Sequence, residues 1–358
     1  MIFLEKFKIK TFLAANSCDG FVSYFSQCYE PKKGWKAFII KGGPGTGKSS
    51  FMKYIARKGA DKGFECELCP CSSDPNSLDA VIFPQIRTVI MDGTAPHTVD
   101  PMYPGVCESI LNFGEFWEKE KFSNTEEKII EITNKNKSLH KTASLYLQAA
   151  GSFLTDNFKT AESSFDVVKA EKYTQKLCDK YFKKQNKLSS EKVRFLSGVT
   201  PKGIVFFSNT ITELCKEIII IKDDFGCVAD FVLRKVRHNA LKNGYDIITV
   251  KNALLPNLYD HIIIPEIGLG FVRESAFTHI KIDVRKIHAK RFLDMELLYK
   301  SKEKIKFNNK AANELLLTAA KKIQEAKSVH DDLEKYYIDA MNFESLTKFA
   351  NDFLDMIF

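Results

Sequence analysis

The feature that most constrains the fold is that the chain matches itself. Shifting the 358-residue sequence by 181 positions aligns residues 41–95 with residues 222–276 without a gap. Ten of the aligned pairs are identical, and they include glycines, prolines and an aspartate as well as apolar residues. Self-similarity at a fixed offset is typical of a repeated structural unit. We therefore expect one unit of about 180 residues, used twice.

The repeated unit extends beyond the aligned segment in both directions. Upstream, a shift of 183 aligns FLAANSCDGFVSYF from Phe12 with FLSGVTPKGIVFFS from Phe195. Downstream, apolar residues recur at spacings of three and four over residues 129–153 and again over residues 312–336. This spacing predicts helices that pair along a seam. The predicted units are a core at 1–122, a helical hairpin at 123–194, a core at 195–292 and a second hairpin at 293–358.

The first core carries a glycine-rich motif typical of phosphate binding. Residues 35–41 (WKAFIIK) predict a buried strand, and helix-compatible residues follow from Ser50. Between them, GGPGTGKS has the pattern G-x-x-x-x-G-K-S in the strand–loop–helix setting that the motif requires. Glycines let successive N–H groups turn toward phosphate oxygens, and the start of a helix favours an anion. The residues predicted to bind the nucleotide are Gly42, Gly43, Pro44, Gly45, Thr46, Gly47, Lys48, Ser49 and Ser50.

Two residues of the motif and an acid at the end of a strand are expected to bind the phosphates and the metal ion. Lys48 is expected to reach the β- and γ-phosphates, and the Ser49 hydroxyl is expected to ligate Mg²⁺. A further magnesium ligand is expected at the end of a neighbouring strand, and Val89–Asp92 has that pattern. We therefore predict that Asp92 holds the metal, although strand-end aspartates also commonly form turns.

The residue after Asp92 is Gly93, not the glutamate that activates water in many ATPases. Another group must position the water, or hydrolysis is slow. Thr94 and His97 follow the same strand and are candidates, although both types of residue also occur as caps and turn formers. The predicted catalytic set is Lys48, Asp92, Thr94 and His97.

Two further acids, Asp74 and Asp79, follow the predicted strand Phe64–Cys69 and are also candidates for this role. Asp79 is the weaker candidate because its counterpart, Asp260, persists in the second copy. A structural role fits such a residue better than a catalytic one.

The second copy has lost the motif. The equivalent eight positions, residues 223–230, read DDFGCVAD, so that Ala229 stands in place of the lysine and Asp230 in place of the magnesium-binding serine. Arg273 stands in place of Asp92. The new carboxylates would repel phosphate. We therefore expect a degenerate core kept for packing, partner contact or regulation. The alternative is that Arg273 reaches from this core to the first nucleotide.

Composition excludes several classes of protein. Apolar residues make up 44% and charged residues 27%, which is ordinary for a globular chain and excludes a disordered or collagen-like one. No apolar stretch approaches the roughly 18 residues that cross a bilayer, and charges interrupt the first eleven residues as they would not in a secretory signal. Nine cysteines in a long chain indicate reduced thiols. We expect a cytoplasmic protein without membrane contact.

The formal net charge is +8, and much of it lies in the first predicted hairpin. Residues 124–195 contain 14 Lys+Arg and 9 Asp+Glu. An acidic protein or a nucleic acid is therefore a possible partner of that hairpin, although most charge runs are solvated faces.

The segments KGGPGTGKSS, CSSDPNSLD and IMDGTAPH together resemble a bacterial family of tandem P-loop ATPases. The resemblance covers essentially the whole chain and implies a three-layer α/β P-loop NTPase core, duplicated in tandem, with a long helical hairpin after each copy. It also implies that residues 42–50 bind the nucleotide, that Asp92 binds magnesium, and that Thr94 and His97 lie at the edge of the site. Family members can keep both loops intact, whereas the second loop here is degenerate.

Three functions fit these residues. The first is an Mg-dependent ATPase that moves its helical hairpins and degenerate half. The second is a phosphotransferase acting on a small acceptor, which the missing glutamate favours. The third is a nucleotide-dependent binding module with negligible turnover. ATP is preferred over GTP because no [NT]-K-x-D guanine-reading motif occurs in the chain.

Overall fold

The computed structural model describes residues 7–96 and 98–358. Their strands form two large sheets and two small hairpins. The strands are β1 (Ile9–Lys10), β2 (Ala14–Ser17), β3 (Gly20–Ser23), β4 (Lys36–Lys41), β5 (Glu67–Pro70), β6 (Leu78–Phe83), β7 (Thr88–Asp92), β8 (Glu108–Asn112), β9 (Glu191–Arg194), β10 (Ser197–Thr200), β11 (Gly203–Phe206), β12 (Glu217–Lys222), β13 (Ile247–Lys251), β14 (Tyr259–Ile264), β15 (Leu269–Glu274) and β16 (Lys286–His288). The α-helices are α1 (Lys48–Asp61), α2 (Glu126–Glu162), α3 (Val167–Tyr181), α4 (Ser208–Leu214), α5 (Cys227–Lys242), α6 (Met295–Lys300), α7 (Lys302–Asp339) and α8 (Phe343–Ile357).

The two large sheets have the same topology. The first sheet has the strand order β1-β5-β6-β7-β4-β8, and the second has the order β9-β13-β14-β15-β12-β16. In each, the second and third strand pairs are antiparallel and the other pairs are parallel. Strands β6 and β14 begin and end 181 residues apart, which is the offset found in the sequence. The fold is α/β with two mixed sheets, and it is compatible with the predicted duplication.

Each sheet is covered on both faces, as strand β4 illustrates. Its residues Phe38 and Ile40 pack into an apolar cluster with α1 and α8, whereas Ala37 and Ile39 pack on the opposite face with residues of the segment before β4. Alternate residues of a strand point to opposite faces, so a strand buried on both sides is apolar throughout. This explains why WKAFIIK predicts a strand correctly.

The two long helices, α2 and α7, pack against each other as an antiparallel pair. Asn136 Nδ2 of α2 donates to Ala326 O of α7 at 2.7 Å, and at the other end Asn308 Nδ2 of α7 donates to Asn157 Oδ1 of α2 at 2.9 Å. The predicted hairpins are thereby corrected, because each long helix pairs with the long helix of the other copy. The apolar seam determines which face of a helix is buried but not which helix covers it. Within residues 7–96 and 98–358, none of the helices combines the length and apolar content needed to cross a membrane.

The short helices that follow are also exchanged between the copies. Helix α3 of the first copy places Leu177 in the apolar cluster of the second sheet. Helix α8 of the second copy places Phe353 against Phe51 of α1 in the first, with ring centroids 5.2 Å apart. The predicted boundary at 195 also moves, since β9 (Glu191–Arg194) already belongs to the second sheet.

The two halves meet at a buried ion pair between their sheets. Arg194 of β9 is 1% exposed, and its Nε lies 2.7 Å from Glu67 Oε1 of β5. Next to this pair, the backbones of Phe12 and Phe195 exchange hydrogen bonds of 2.7 and 3.0 Å. A buried charge needs its partner, so this contact fixes how the halves are joined.

Candidate functional site

The first loop, residues 42–47, joins β4 to α1 at the carboxyl end of β4. Gly47 has φ 84°, a left-handed conformation that glycine adopts readily, and α1 begins at the next residue. Among the described residues, no side chain caps this helix start. The Thr46 hydroxyl stabilises the turn by donating to Gly43 O at 2.8 Å. Uncapped N–H groups at a helix start favour an anion.

Lys48 and Asp92 meet inside the first loop. Lys48 Nζ donates to Gly42 O at 3.1 Å and to Gly43 O at 2.7 Å, and it lies 3.7 Å from Asp92 Oδ2. Strands β4 and β7 are parallel neighbours, so their carboxyl ends bring the loop and Asp92 together. Both side chains are mostly buried, at 11% and 15% exposed. The structure therefore brings together the two predicted residues that carry opposite charge.

Thr94 lies at the same end of β7 and holds Asp92. Its backbone N and its hydroxyl donate to Asp92 Oδ1 at 2.9 and 2.6 Å. The other oxygen, Oδ2, thereby faces Lys48. Thr94 orients the carboxylate, a role that the sequence prediction did not assign to it.

The two serines of the motif differ. Ser49 Oγ accepts a hydrogen bond from Leu78 N of β6 at 3.0 Å, which fixes the hydroxyl at the start of α1. A hydroxyl oxygen has a second lone pair for another partner. Ser50 is exposed on α1.

The loop after Asp92 leaves no room for the glutamate that is missing there. Gly93 N donates to Ile40 O at 2.9 Å, and a Cβ on Gly93 would overlap the Ile39 side chain. The segment is tied back by Lys41, whose Nζ donates to Gly93 O at 2.9 Å and to Val99 O at 2.7 Å. The sequence did not predict this role for Lys41, although Lys41 and its counterpart Lys222 form one of the ten identical pairs. The predicted catalytic residue His97 lies outside the described residues.

Helices of the second copy pack on the first loop. A Cβ on Gly43 would lie 2.6 Å from Tyr337 Cε1, and one on Gly45 would lie 2.6 Å from Glu334 O, both in α7. A Cβ on Gly47 would lie 3.0 Å from Leu346 Cδ2 of α8. The glycines therefore allow close packing of α7 and α8 as well as a tight turn.

The second loop, residues 223–226, joins β12 to α5, and charged groups of the second core fill its interior. Arg273 Nε donates to Asp223 O at 2.9 Å and Arg273 Nη2 to Asp224 O at 3.4 Å, and these carbonyls are the counterparts of the two that Lys48 contacts. Arg273 Nη1 pairs with Asp260 Oδ1 at 3.1 Å. The alternative that Arg273 reaches the first loop is therefore wrong, because its guanidinium is bound within its own core.

A carboxylate occupies the helix start of the second loop. Asp223 Oδ2 accepts from Ala229 N at 2.8 Å, and Asp223 Oδ1 accepts from Phe225 N at 3.1 Å. Helix α5 begins at Cys227, two positions earlier than α1 in the aligned numbering, and Val228 replaces the left-handed Gly47. Asp230 Oδ1 accepts from Tyr259 N at 2.9 Å, as Ser49 does from Leu78. The second loop is shorter and internally neutralised.

The remaining predicted positions have local roles. Asp74 accepts from Asn76 N and Ser77 Oγ, both at 3.1 Å, and so forms a turn. The basic excess of the first hairpin lies outside its long helix: α2 contains five Lys and five Asp+Glu, whereas residues 167–195 contain nine Lys+Arg and three Asp+Glu.

Taken together, the first loop offers backbone N–H groups and an ammonium to an anion, and a hydroxyl and a carboxylate to a divalent cation. Comparisons with protein-family models, with curated proteins and with solved structures find no match for this chain.

Proposed function

We propose that the chain binds Mg-ATP at the first loop and hydrolyses it, that its cores are P-loop NTPase cores, and that the second loop binds no nucleotide. The observation that carries this proposal is the position of Lys48, held on two loop carbonyls and 3.7 Å from Asp92 at the end of the neighbouring parallel strand. A cation and a carboxylate in this relation to a glycine-rich turn suit a phosphate chain with its metal.

Each residue of the site has a role in this proposal. Lys48 and the N–H groups at the start of α1 bind the β- and γ-phosphates. Ser49 and Asp92 supply a hydroxyl and a carboxylate oxygen, the hard ligands that Mg²⁺ prefers, so the donor set fits this ion. Bound magnesium would neutralise charge on the phosphate oxygens. ATP is preferred because the chain has no guanine-reading motif.

The packing of α7 and α8 on the first loop supports coupling to the paired long helices. Glu334 O and Tyr337 lie where any side chain on Gly45 or Gly43 would be, so a change in the loop backbone displaces α7. Helix α7 pairs with α2 along its length and thereby reaches the second half. We infer that the nucleotide state is transmitted along this helix pair.

A phosphotransferase is the second candidate. The observation that favours it is Gly93, where the structure leaves no space for a glutamate to activate water. The same Lys48 and Asp92 would serve transfer to an acceptor hydroxyl.

Binding is tested by titration calorimetry with Mg-ATP. We expect one site per chain, weakened by at least about 100-fold in Lys48→Ala, because a buried charge-assisted contact to phosphate is lost. Lys36→Ala is the matched control, since it removes the same charge from the exposed opposite end of β4 and leaves the affinity unchanged. Two sites of similar affinity, or wild-type affinity in Lys48→Ala, would contradict the proposal.

Turnover separates the candidates. Phosphate release from Mg-ATP without any acceptor supports hydrolysis. Release that requires an added metabolite supports the phosphotransferase. Release equal to that of Lys48→Ala leaves a nucleotide-dependent binding module.

A further inference from the structure

A second carboxylate lies beside Asp92 on the neighbouring strand. Strands β6 and β7 are antiparallel, and their pairing runs from Phe83 opposite Thr88 to Ala80 opposite Met91. Continuing this register by one residue places Asp79 directly opposite Asp92. Opposite residues of an antiparallel pair point to the same face, with Cβ atoms about 5 Å apart. Asp79 is 4% exposed.

The second copy shows where a carboxylate in this position points. There the corresponding register runs to His261 opposite Val272, and the next pair is Asp260 with Arg273. Their side chains meet at 3.1 Å, and the same guanidinium contacts the loop carbonyls that correspond to those of Lys48. A carboxylate at this register position therefore faces the interior of its loop.

Asp79 also adjoins the predicted magnesium ligand. The residue before it, Leu78, donates its backbone N–H to Ser49 Oγ at 3.0 Å. Asp79 is therefore next in sequence to the residue that binds Ser49, and it lies on the strand beside Asp92. Its known neighbour is the Cys71 thiol, which forms a side-chain hydrogen bond with it and whose pKa is raised by burial and by this carboxylate.

The persistence of Asp260 has a local explanation. Sequence comparison favoured a structural role for Asp79 because the second copy keeps an aspartate there. In the structure, Asp260 neutralises Arg273, a residue that the first copy does not have at that position. Both aspartates also contact equivalent residues, since Asp260 accepts from Asn252 Nδ2 at 3.0 and 3.1 Å and Asp79 binds Cys71. The pairing with Arg273 is specific to the second copy, so the persistence of Asp260 does not by itself assign a structural role to Asp79.

We propose that Asp79 is the catalytic residue that orients the attacking water and accepts its proton, a role that rests on the function proposed above. The water oxygen forms a bond to the γ-phosphorus, and the bond from that phosphorus to the β–γ bridging oxygen breaks. The bridging oxygen leaves on ADP with the electron pair, and the water proton passes to the Asp79 carboxylate and then to solvent. Asp79 thereby supplies, from β6, the carboxylate for which Gly93 leaves no room.

The experiment compares Asp79→Asn with the wild type in the full chain. Asn has the same shape and cannot accept the proton, so we expect single-turnover phosphate release to fall by about 10²–10⁴-fold. The Mg-ATP dissociation constant, measured by calorimetry, should change by less than about threefold. Trapping of ADP with aluminium fluoride, which mimics the transferring phosphoryl group, should weaken.

Two variants control for structural effects. Cys71→Ala removes the hydrogen-bonding neighbour of Asp79 and keeps the carboxylate, and Asp74→Asn makes the same change at an acid that forms a turn in the preceding segment. Both should leave phosphate release at the wild-type rate. Should Asp79→Asn fail to fold, Asp79→Ser is measured in the same way.

The outcomes are distinguishable. Wild-type chain that does not bind Mg-ATP overturns the proposed function. Normal release and normal trapping in Asp79→Asn overturn the role of Asp79 alone. Loss of Mg-ATP affinity as large as the loss of rate also overturns it, because it would make Asp79 a binding residue.

Discussion

The first and second loops occupy equivalent places in equivalent sheets, yet they balance their charges in opposite ways. At the first loop the cation, Lys48, comes from the first residue of the helix that follows the loop, and its carboxylate partner lies 3.7 Å away. In the second, Arg273 comes from the neighbouring strand and fills the loop from the side, while Asp223 accepts the N–H groups at the helix start. The second loop thus supplies its own anion and receives its cation from the neighbouring strand.

This difference teaches that loss of a binding motif need not leave a defective core. An unpaired buried charge costs several kcal/mol, whereas a fully hydrogen-bonded pair is tolerated. Replacing Asp92 by arginine is acceptable only because Asp260 lies opposite the arginine and two loop carbonyls accept hydrogen bonds from its guanidinium. The second core keeps its fold by replacing one set of interactions with another.

The largest expected effect is on the stability of the second loop. Arg273→Met should lower the free energy of unfolding by about 3–5 kcal/mol, because it leaves Asp260 as a buried charge without its partner. The measurement is urea denaturation followed by circular dichroism. Lys48→Met is the matched change in the first loop and should cost less than about 1 kcal/mol, because its contact with Asp92 is longer, at 3.7 Å, and Asp92 keeps two hydrogen bonds from Thr94. Equal losses in both variants would show that the two loops are not balanced differently.

The next effect is acid sensitivity of the second half. Burial lowers the pKa of His261 from 6.5 to about 4, with Arg273 lowering it further and Asp260 opposing the shift. Below pH 6.5 the unfolded chain binds a proton that the folded chain refuses, so this histidine costs stability as the pH falls from 6.5 to 4, by about 3 kcal/mol in total.

The first copy has Ala80 at the equivalent position, which makes His261→Ala the natural comparison. Denaturation at stepped pH should show a shallower loss of stability in this variant between pH 6.5 and 4. An unchanged slope would mean that other groups determine the acid response.

The smallest effect concerns the one glycine that is identical in the alignment of the two loops, Gly45 in the first and Gly226 in the second. Gly45 and Gly226 both have positive φ, 68° and 92°, so alanine strains either backbone by about 1 kcal/mol. A Cβ on Gly45 would also lie 2.6 Å from a backbone oxygen of α7, whereas the atom nearest to a Cβ on Gly226 is Arg273 Cζ, at 3.1 Å. We therefore expect Gly45→Ala to cost about 1–2 kcal/mol more, measured as the difference in urea denaturation. A larger loss in Gly226→Ala would contradict the packing of α7 on the first loop.

Much of the fold was predictable from local pattern. The offset of 181 residues recurs in the bounds of β6 and β14, and the apolar run before Gly42 is a strand buried on both faces. The repeat and the apolar run can both be found by comparing residue types along the chain, without knowing which segments are in contact. The partner of each long helix was not predictable, because a seam of spacing three and four packs equally well on any similar seam.

The site was predictable where the motif is contiguous. The placement of Lys48 beside Asp92 follows from parallel neighbouring strands. The position of Asp79 depends on the antiparallel pairing of β6 with β7, which no spacing along the chain reveals. One signal was present in the alignment of the two copies. Asp92 of the first copy is replaced by Arg273 in the second, while Asp79 is retained as Asp260. An acid that is kept when another acid becomes a base indicates that the two positions are in contact.

The exchange of short helices has a consequence for synthesis on the ribosome. The apolar cluster beneath the first loop includes Leu346, Phe353 and Leu354, some 300 residues after the strand and helix that they cover. Helix α3, which covers the second sheet, precedes the strands of that sheet in the chain and is therefore translated before them. The first sheet is translated early, whereas α8, which covers it, begins only at Phe343. The first loop is therefore covered only after α8 has been translated.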